Sequence, residues 1–133
     1  MLLTSPEEIL NVASALPSGK SAGTDNIPIE FFKHAPSSIL GWISKFFNAL
    51  LIHQYVPQSI TEVILTPLLK SSLKDPCNSN SYRPIARATA ASKIFEHIIL
   101  NRLSNFLQTT DFQFGFKKGH GTDMCIFQLI KIL

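Results

Sequence analysis

Between Pro36 and about Gln54 the apolar residues Ile39, Ile43, Phe46, Phe47, Leu50 and Leu51 recur at helical spacing, and Pro57 closes the segment. A long amphipathic helix of this kind needs other elements to cover its stripe. The chain supplies several. Ser5-Pro6-Glu7-Glu8 opens an earlier helix with a capping serine, a proline at the first helical position and a glutamate three residues after the cap. Ile9, Val12, Ala13 and Leu16 fall on one face of it, and Pro17-Ser18-Gly19 ends it. After the polar turn-rich loop 20–26, Ile27-Pro28 starts a short helix carrying Ile29, Phe31 and Phe32. Thr89 or Ser92 begins another, with Phe95, Ile98, Ile99, Leu103, Phe106 and Leu107 as its stripe.

The helical period breaks once. Residues 61–69, Thr-Glu-Val-Ile-Leu-Thr-Pro-Leu-Leu, are rich in β-branched side chains and too short for a buried helix, so they read as a strand edged or kinked at Pro67, with Lys70 at its end. Residues 71–81 are loop by composition. Tyr82-Arg83-Pro84-Ile85-Ala86 is extended because Pro84 pushes Arg83 out of the helical region. These two strands are expected to pair as a short antiparallel hairpin, giving an α+β fold that is mostly helical. Thr122-Asp123 caps a last helix that carries Ile126, Phe127 and Ile130.

Composition narrows the function classes. With 133 residues, 45% hydrophobic and 16% charged, the chain fits one domain and is too apolar for intrinsic disorder. No apolar run reaches the length of a membrane span, and the N-terminus lacks the basic start of a signal peptide. A soluble, intracellular protein with reduced Cys77 and Cys125 is the expectation. The net charge of +3 is unevenly placed: residues 1–66 hold three lysines against five acids, whereas residues 67–133 hold nine basic residues against four acids. The second half is therefore the side suited to an anionic partner.

Gly19-Lys20-Ser21 has the ending of a phosphate-binding P-loop, but Ser14 stands where that motif needs its first glycine, and no strand precedes it. The four histidines and two cysteines show no zinc-ligand spacing. Glu7 and Glu8 are explained by their place in a first helical turn, so no catalytic carboxylate pair and no metal ligands are assigned. What remains is a basic set, Lys70, Lys74, Arg83, Arg87, Lys117 and Lys118, interleaved with Tyr82, Phe114 and Phe116. Guanidinium and ammonium groups suit phosphate, and aromatic faces can stack on a base. The same pattern fits a non-enzymatic nucleic-acid-binding module, and the helices alone fit a helical interaction domain.

The order of segments is more specific than any of these. Gly19-Lys20-Ser21-Ala22-Gly23-Thr24-Asp25-Asn26-Ile27-Pro28, Lys70, Tyr82-Arg83-Pro84-Ile85, Ser92-Lys93-Ile94-Phe95-Glu96-His97 and Gln113-Phe114-Gly115-Phe116-Lys117-Lys118-Gly119-His120 follow one another along the chain. The series resembles the N-terminal part of the reverse transcriptase domain of non-LTR (LINE-type) retrotransposons, from about Ser5 to the C-terminus.

That resemblance implies residues 1–133 to be a partial reverse transcriptase domain, the fingers of a right-hand polymerase and the start of its palm. It implies an RNA template, a DNA primer and deoxynucleotides as partners, nuclear DNA as the place where the parent enzymes act, and Mg2+ as cofactor of the full-length enzyme. It assigns Lys70 and Arg83 to the triphosphate of the incoming nucleotide, and Gln113, Phe114, Gly115, Phe116, Lys117 and Lys118 to the template and primer backbone. The family usually has a Trp near Gln58-Ser59-Ile60, an aliphatic residue at Arg87 and an Asn at Phe112. The family's metal-binding aspartates lie in later motifs, and Asp25, Asp75, Asp111 and Asp123 match none of them. The fragment is therefore expected to bind no metal and to be inactive by itself.

Overall fold

The computed structural model describes residues 3–107, 109–110, 112–115, 117 and 119–132, the last of these by its backbone alone. It divides into two compact units, Met1–Asn101 and Arg102–Leu133. About half of the chain is helical: α1 Pro6–Ala15, α2 Ile29–His34, α3 Ser37–His53, α4 Gln58–Thr61, α5 Ala90–Leu103 and α6 Thr122–Ile132. Strands β1 Ile64–Leu69 and β2 Tyr82–Arg87 form a two-stranded antiparallel sheet.

Local sequence sets the helix boundaries. The Ser5 hydroxyl accepts the Glu8 amide at 3.1 Å, with Pro6 in the first turn of α1. Thr89 caps α5 by accepting the Ser92 amide at 3.1 Å. α3 ends where Gln54 turns left-handed, at φ 52°.

The core of the first unit gathers one face from each helix: Ile9, Val12 and Ala13 of α1, Ile29 and Phe32 of α2, Leu40, Phe47 and Leu50 of α3, Ile60 of α4, and Ala90, Ile94, Phe95 and Ile98 of α5. Phe47 is fully buried and its ring lies 5.0 Å from that of Phe95, which joins α3 to α5. Each buried Val, Leu, Ile or Phe side chain contributes roughly 1.5–3 kcal/mol by leaving water.

Three expectations shift. The buried face of α3 is Leu40, Ser44, Phe47 and Leu50, rotated from the predicted stripe, and Phe46 is exposed. Ser44 is inside because its hydroxyl donates to the Thr4 carbonyl at 2.5 Å, while Asn48 takes the Thr4 amide at 2.6 Å and donates to the same carbonyl at 3.0 Å. The segment before α1 is thereby clamped to α3. The predicted strand 61–69 begins only at Ile64, because residues 58–61 form a helical turn that buries Ile60. The predicted stripe of α5 stops with the helix at Leu103, and Phe106 and Leu107 lie beyond it and exposed. No helix of the described residues is long and apolar enough to cross a membrane, and both cysteines are free and exposed.

Candidate functional site

The hairpin register pairs Leu68 with Arg83, Pro67 with Pro84 and Ile64 with Arg87. One residue past β1, the Lys70 amide donates to the Ser81 carbonyl at 2.8 Å, so the ladder continues to Lys70. Hydrogen-bonded pairs alternate with non-hydrogen-bonded ones in an antiparallel ladder. Counting back from Lys70 and Ser81, Pro67 and Pro84 fall at a non-hydrogen-bonded pair, where the amide each proline lacks would have pointed away from its partner. The hairpin therefore loses no ladder bond. Both of its free edges carry a proline at mid-strand, which blunts them against strand addition.

The same register fixes where the two phosphate candidates stand. Arg83 is directly across from Leu68, and Lys70 is two residues beyond Leu68, so pleat alternation puts Lys70 and Arg83 on one face of the hairpin. Both are exposed. The Lys70 ammonium donates to the Asn80 carbonyl at 2.7 Å, which holds the long side chain against the loop and leaves two of its three donors free. The Arg83 guanidinium has no hydrogen bond or ion pair among the described residues. On the opposite face, the Tyr82 hydroxyl donates to the Pro76 carbonyl at 3.0 Å and ties down the connecting loop. Asp75 accepts the Cys77 amide and Asn78 the Asn80 amide, both at 2.9 Å, so the loop 71–81 is shaped by its own Asx turns.

The second unit holds the other candidates. Gln113 and Gly115 are exposed, and Phe114 and Lys117 are half-buried. The Gln113 side chain donates to the Gly115 carbonyl at 3.3 Å, and the Lys117 ammonium donates to the Thr110 carbonyl at 3.2 Å. The Phe114 ring lies 6.1 Å from that of His120. Gly119, at φ 76°, turns the chain into α6. Phe116 and Lys118 lie outside the described residues.

Gly19-Lys20-Ser21 is not a phosphate cradle. The Gly19 amide donates to Glu30 Oε1 at 2.6 Å, and the Lys33 ammonium donates to the Leu16 carbonyl at 2.6 Å and the Ser18 hydroxyl at 2.8 Å. The amide that would face a phosphate is thus committed to a carboxylate of the chain itself. That amide holds the Glu30 carboxyl below its ordinary value, with smaller help from Lys33 and His34. Among the described residues no three His, Cys, Asp or Glu side chains are grouped to hold a metal ion.

Beside this loop is a cavity of about 190 Å3 lined by Leu16, Pro17, Lys20, Ser21, Ala22, Ile27, Ile29, Ala88, Ala90 and Lys93. The pattern of basic loops does not reveal it, because Lys20 lies in the loop after α1 and Lys93 in α5. Only the fold brings them to one cavity.

No family model matches the chain. Among curated proteins, the "Probable RNA-directed DNA polymerase from transposon BS" of Drosophila melanogaster is 32% identical over 129 residues. That alignment covers 94% of this chain and 14% of the relative. The "RNA-directed DNA polymerase from mobile element jockey" of the same organism is 32% identical over 120 residues, covering 87% of this chain and 13% of the relative. Its counterpart in Drosophila funebris is 31% identical over 120 residues, with the same coverage. The chain spans about one seventh of the length of these relatives.

Proposed function

The chain belongs by sequence to the RNA-directed DNA polymerases of LINE-type, non-LTR retrotransposons, as a relative of one short stretch of them, and on that premise we propose that it is the fingers part of such an enzyme and grips the incoming deoxynucleotide through Lys70 and Arg83. The observation that carries this reading is the register, which sets both cations on one exposed face of the hairpin.

A nucleoside triphosphate brings several negative charges to that face. Arg83 offers its planar fork to two phosphate oxygens at once, and Lys70 offers the donors that Asn80 leaves free. Neutralising the phosphates lowers the cost of bringing them together and steadies the pyrophosphate leaving group. The hairpin supports the grip because its Asx-turned loop and the Lys70 contact with Asn80 order the Lys70 side chain before the ligand arrives, which lessens the entropy lost on binding. Pro84 holds the backbone from which Arg83 projects. In the second unit, Gln113, Phe114, Gly115, Phe116, Lys117 and Lys118 track the template and primer backbone by charge and stacking, without reading sequence.

RNA-directed DNA polymerases use a divalent metal, which in this reading is held by carboxylates outside these 133 residues. Asp25, Asp75, Asp111 and Asp123 do not provide them. The polypeptide alone is thus a binding element and does not extend a primer.

Binding of a fluorescent deoxynucleoside triphosphate to the 133-residue chain tests the proposal. Lys70→Ala together with Arg83→Ala should weaken it by about tenfold, because two charge-assisted contacts at an exposed, screened site are lost. Undiminished binding by the double variant rejects the site. Incorporation of nucleotides by the purified chain rejects its dependence on outside carboxylates.

A further inference from the structure

The cavity beside α5 carries an inference separate from the hairpin. Ile29 and Ala90 are buried and form its floor, Leu16, Ala22 and Ala88 are half-buried, and Pro17, Lys20, Ser21 and Ile27 are exposed at its rim. The wall is apolar apart from Ser21, Lys20 and Lys93. A void of about 150 Å3 lined by apolar side chains is known to hold benzene, so about 190 Å3 has room for one ring or a chain of about six carbons.

The charge at this cavity has one sign. Neither the Lys20 nor the Lys93 ammonium has a hydrogen bond or ion pair among the described residues, and no acidic residue is in the lining. Ala90 and Lys93 belong to the first turn of α5, a 14-residue helix whose N-terminal end adds a positive field. The loop's own carboxylate, Asp25, accepts the Ile27 amide at 3.1 Å, and Glu30 of α2 accepts the Gly19 amide. An apolar chamber with two unpaired ammonium groups and a helix N-terminus suits a ligand with an apolar body and one anionic end. A neutral apolar molecule would leave the cations unused, and a bare inorganic anion would leave the chamber unfilled.

We propose that this cavity is a binding site for a small hydrophobic carboxylate of ring or six-carbon size, its apolar body against Ile29 and Ala90 and its carboxylate taken by Lys20 and Lys93. Occupancy would tie the loop 17–27 to α5, two segments far apart in sequence.

The test titrates benzoate and hexanoate into the 15N-labelled chain and follows amide shifts. Saturable shifts at residues 16–29 and 88–93 are expected, with benzyl alcohol and inorganic phosphate each binding at least about tenfold more weakly, since one lacks the charge and the other the apolar body. Lys20→Gln with Lys93→Gln should weaken benzoate about tenfold while the amide spectrum away from the cavity stays as in the parent. Ala22→Leu, which fills the chamber, should abolish binding. Shifts spread over all lysines, equal binding of benzyl alcohol, or full affinity in the lysine variant would each overturn the proposal.

Discussion

Gly23 rests on the backbone of Thr89: a Cβ added to it would come 2.6 Å from the Thr89 nitrogen and 2.7 Å from the Ala88 carbonyl carbon. Neither atom is the end of a flexible side chain, so the junction of β2 and α5 would have to move. Gly23→Ala should therefore destabilise by about 1–3 kcal/mol, the usual cost of overpacking. Gly41 is the control, since it sits inside α3 and a Cβ there meets nothing within 4 Å. Gly41→Ala should stabilise by roughly 0.5–1 kcal/mol through helix propensity. Urea unfolding followed by circular dichroism measures both, and a similar effect of the two substitutions would contradict the packing at Gly23.

The clamp on Thr4 gives a second prediction. Its backbone amide is accepted by Asn48, and its carbonyl receives both Asn48 and Ser44. Asn48→Ala leaves the amide of a buried residue without that acceptor, which costs about 1–3 kcal/mol. Hydrogen exchange at the Thr4 amide should accelerate by at least about tenfold in this variant, more than at amides within α5. Exchange at the parent rate would show that Asn48 does not hold the segment.

How much of this could be read from the chain depends on the range of the forces. The cap of α1, the turn chemistry of loop 71–81 and the pairing of β1 with β2 are local, so Ser5, Asn78 and Pro84 announce them. The face of α3 is not local. Ten of the fourteen positions from Ile39 to Ile52 are apolar, and periodicity cannot choose between Phe46 and Leu40 when the stripe is this wide. Thr4, forty residues away, decides it by drawing Ser44 inside. The hairpin cations could be named from the sequence, and their common face follows from two-residue alternation once the register is known. The cavity could not be named, because Lys20 and Lys93 line one cavity only after the loop has closed, through the bare Cα of Gly23, on the residues that lead into α5.

A pH dependence follows from Glu30. Its folded carboxyl lies below the ordinary value of 4.5, chiefly because it accepts the Gly19 amide. A depressed carboxylate adds stability that is fully present above its unfolded value and is lost as pH falls through the folded one. The contribution should thus be intact at neutral pH and disappear only in acid, below about pH 4.5. A carbon-detected titration of Glu30 should give a midpoint below that value, with the Gly19 amide moving at the same pH. A midpoint at or above it would rule out the contact, and Glu30→Gln should leave Gly19 silent over this range.

The last helix makes a prediction about behaviour in solution. Ile126, Phe127, Leu129 and Ile130 of α6 are each more than half exposed, and Lys131 lies over the Phe127 ring at 4.7 Å without covering it. Contiguous apolar surface of this kind binds hydrophobic dyes and drives self-association. The chain should enhance the fluorescence of an anilinonaphthalene dye under native conditions, and Phe127→Ser with Ile130→Ser should remove most of that signal. Because both side chains are already exposed to water, the double substitution should change unfolding stability by less than about 0.5 kcal/mol each. A large loss of stability would instead mean that α6 is packed in solution, and a parent chain that binds no dye and sediments as a monomer would mean that its apolar face is covered.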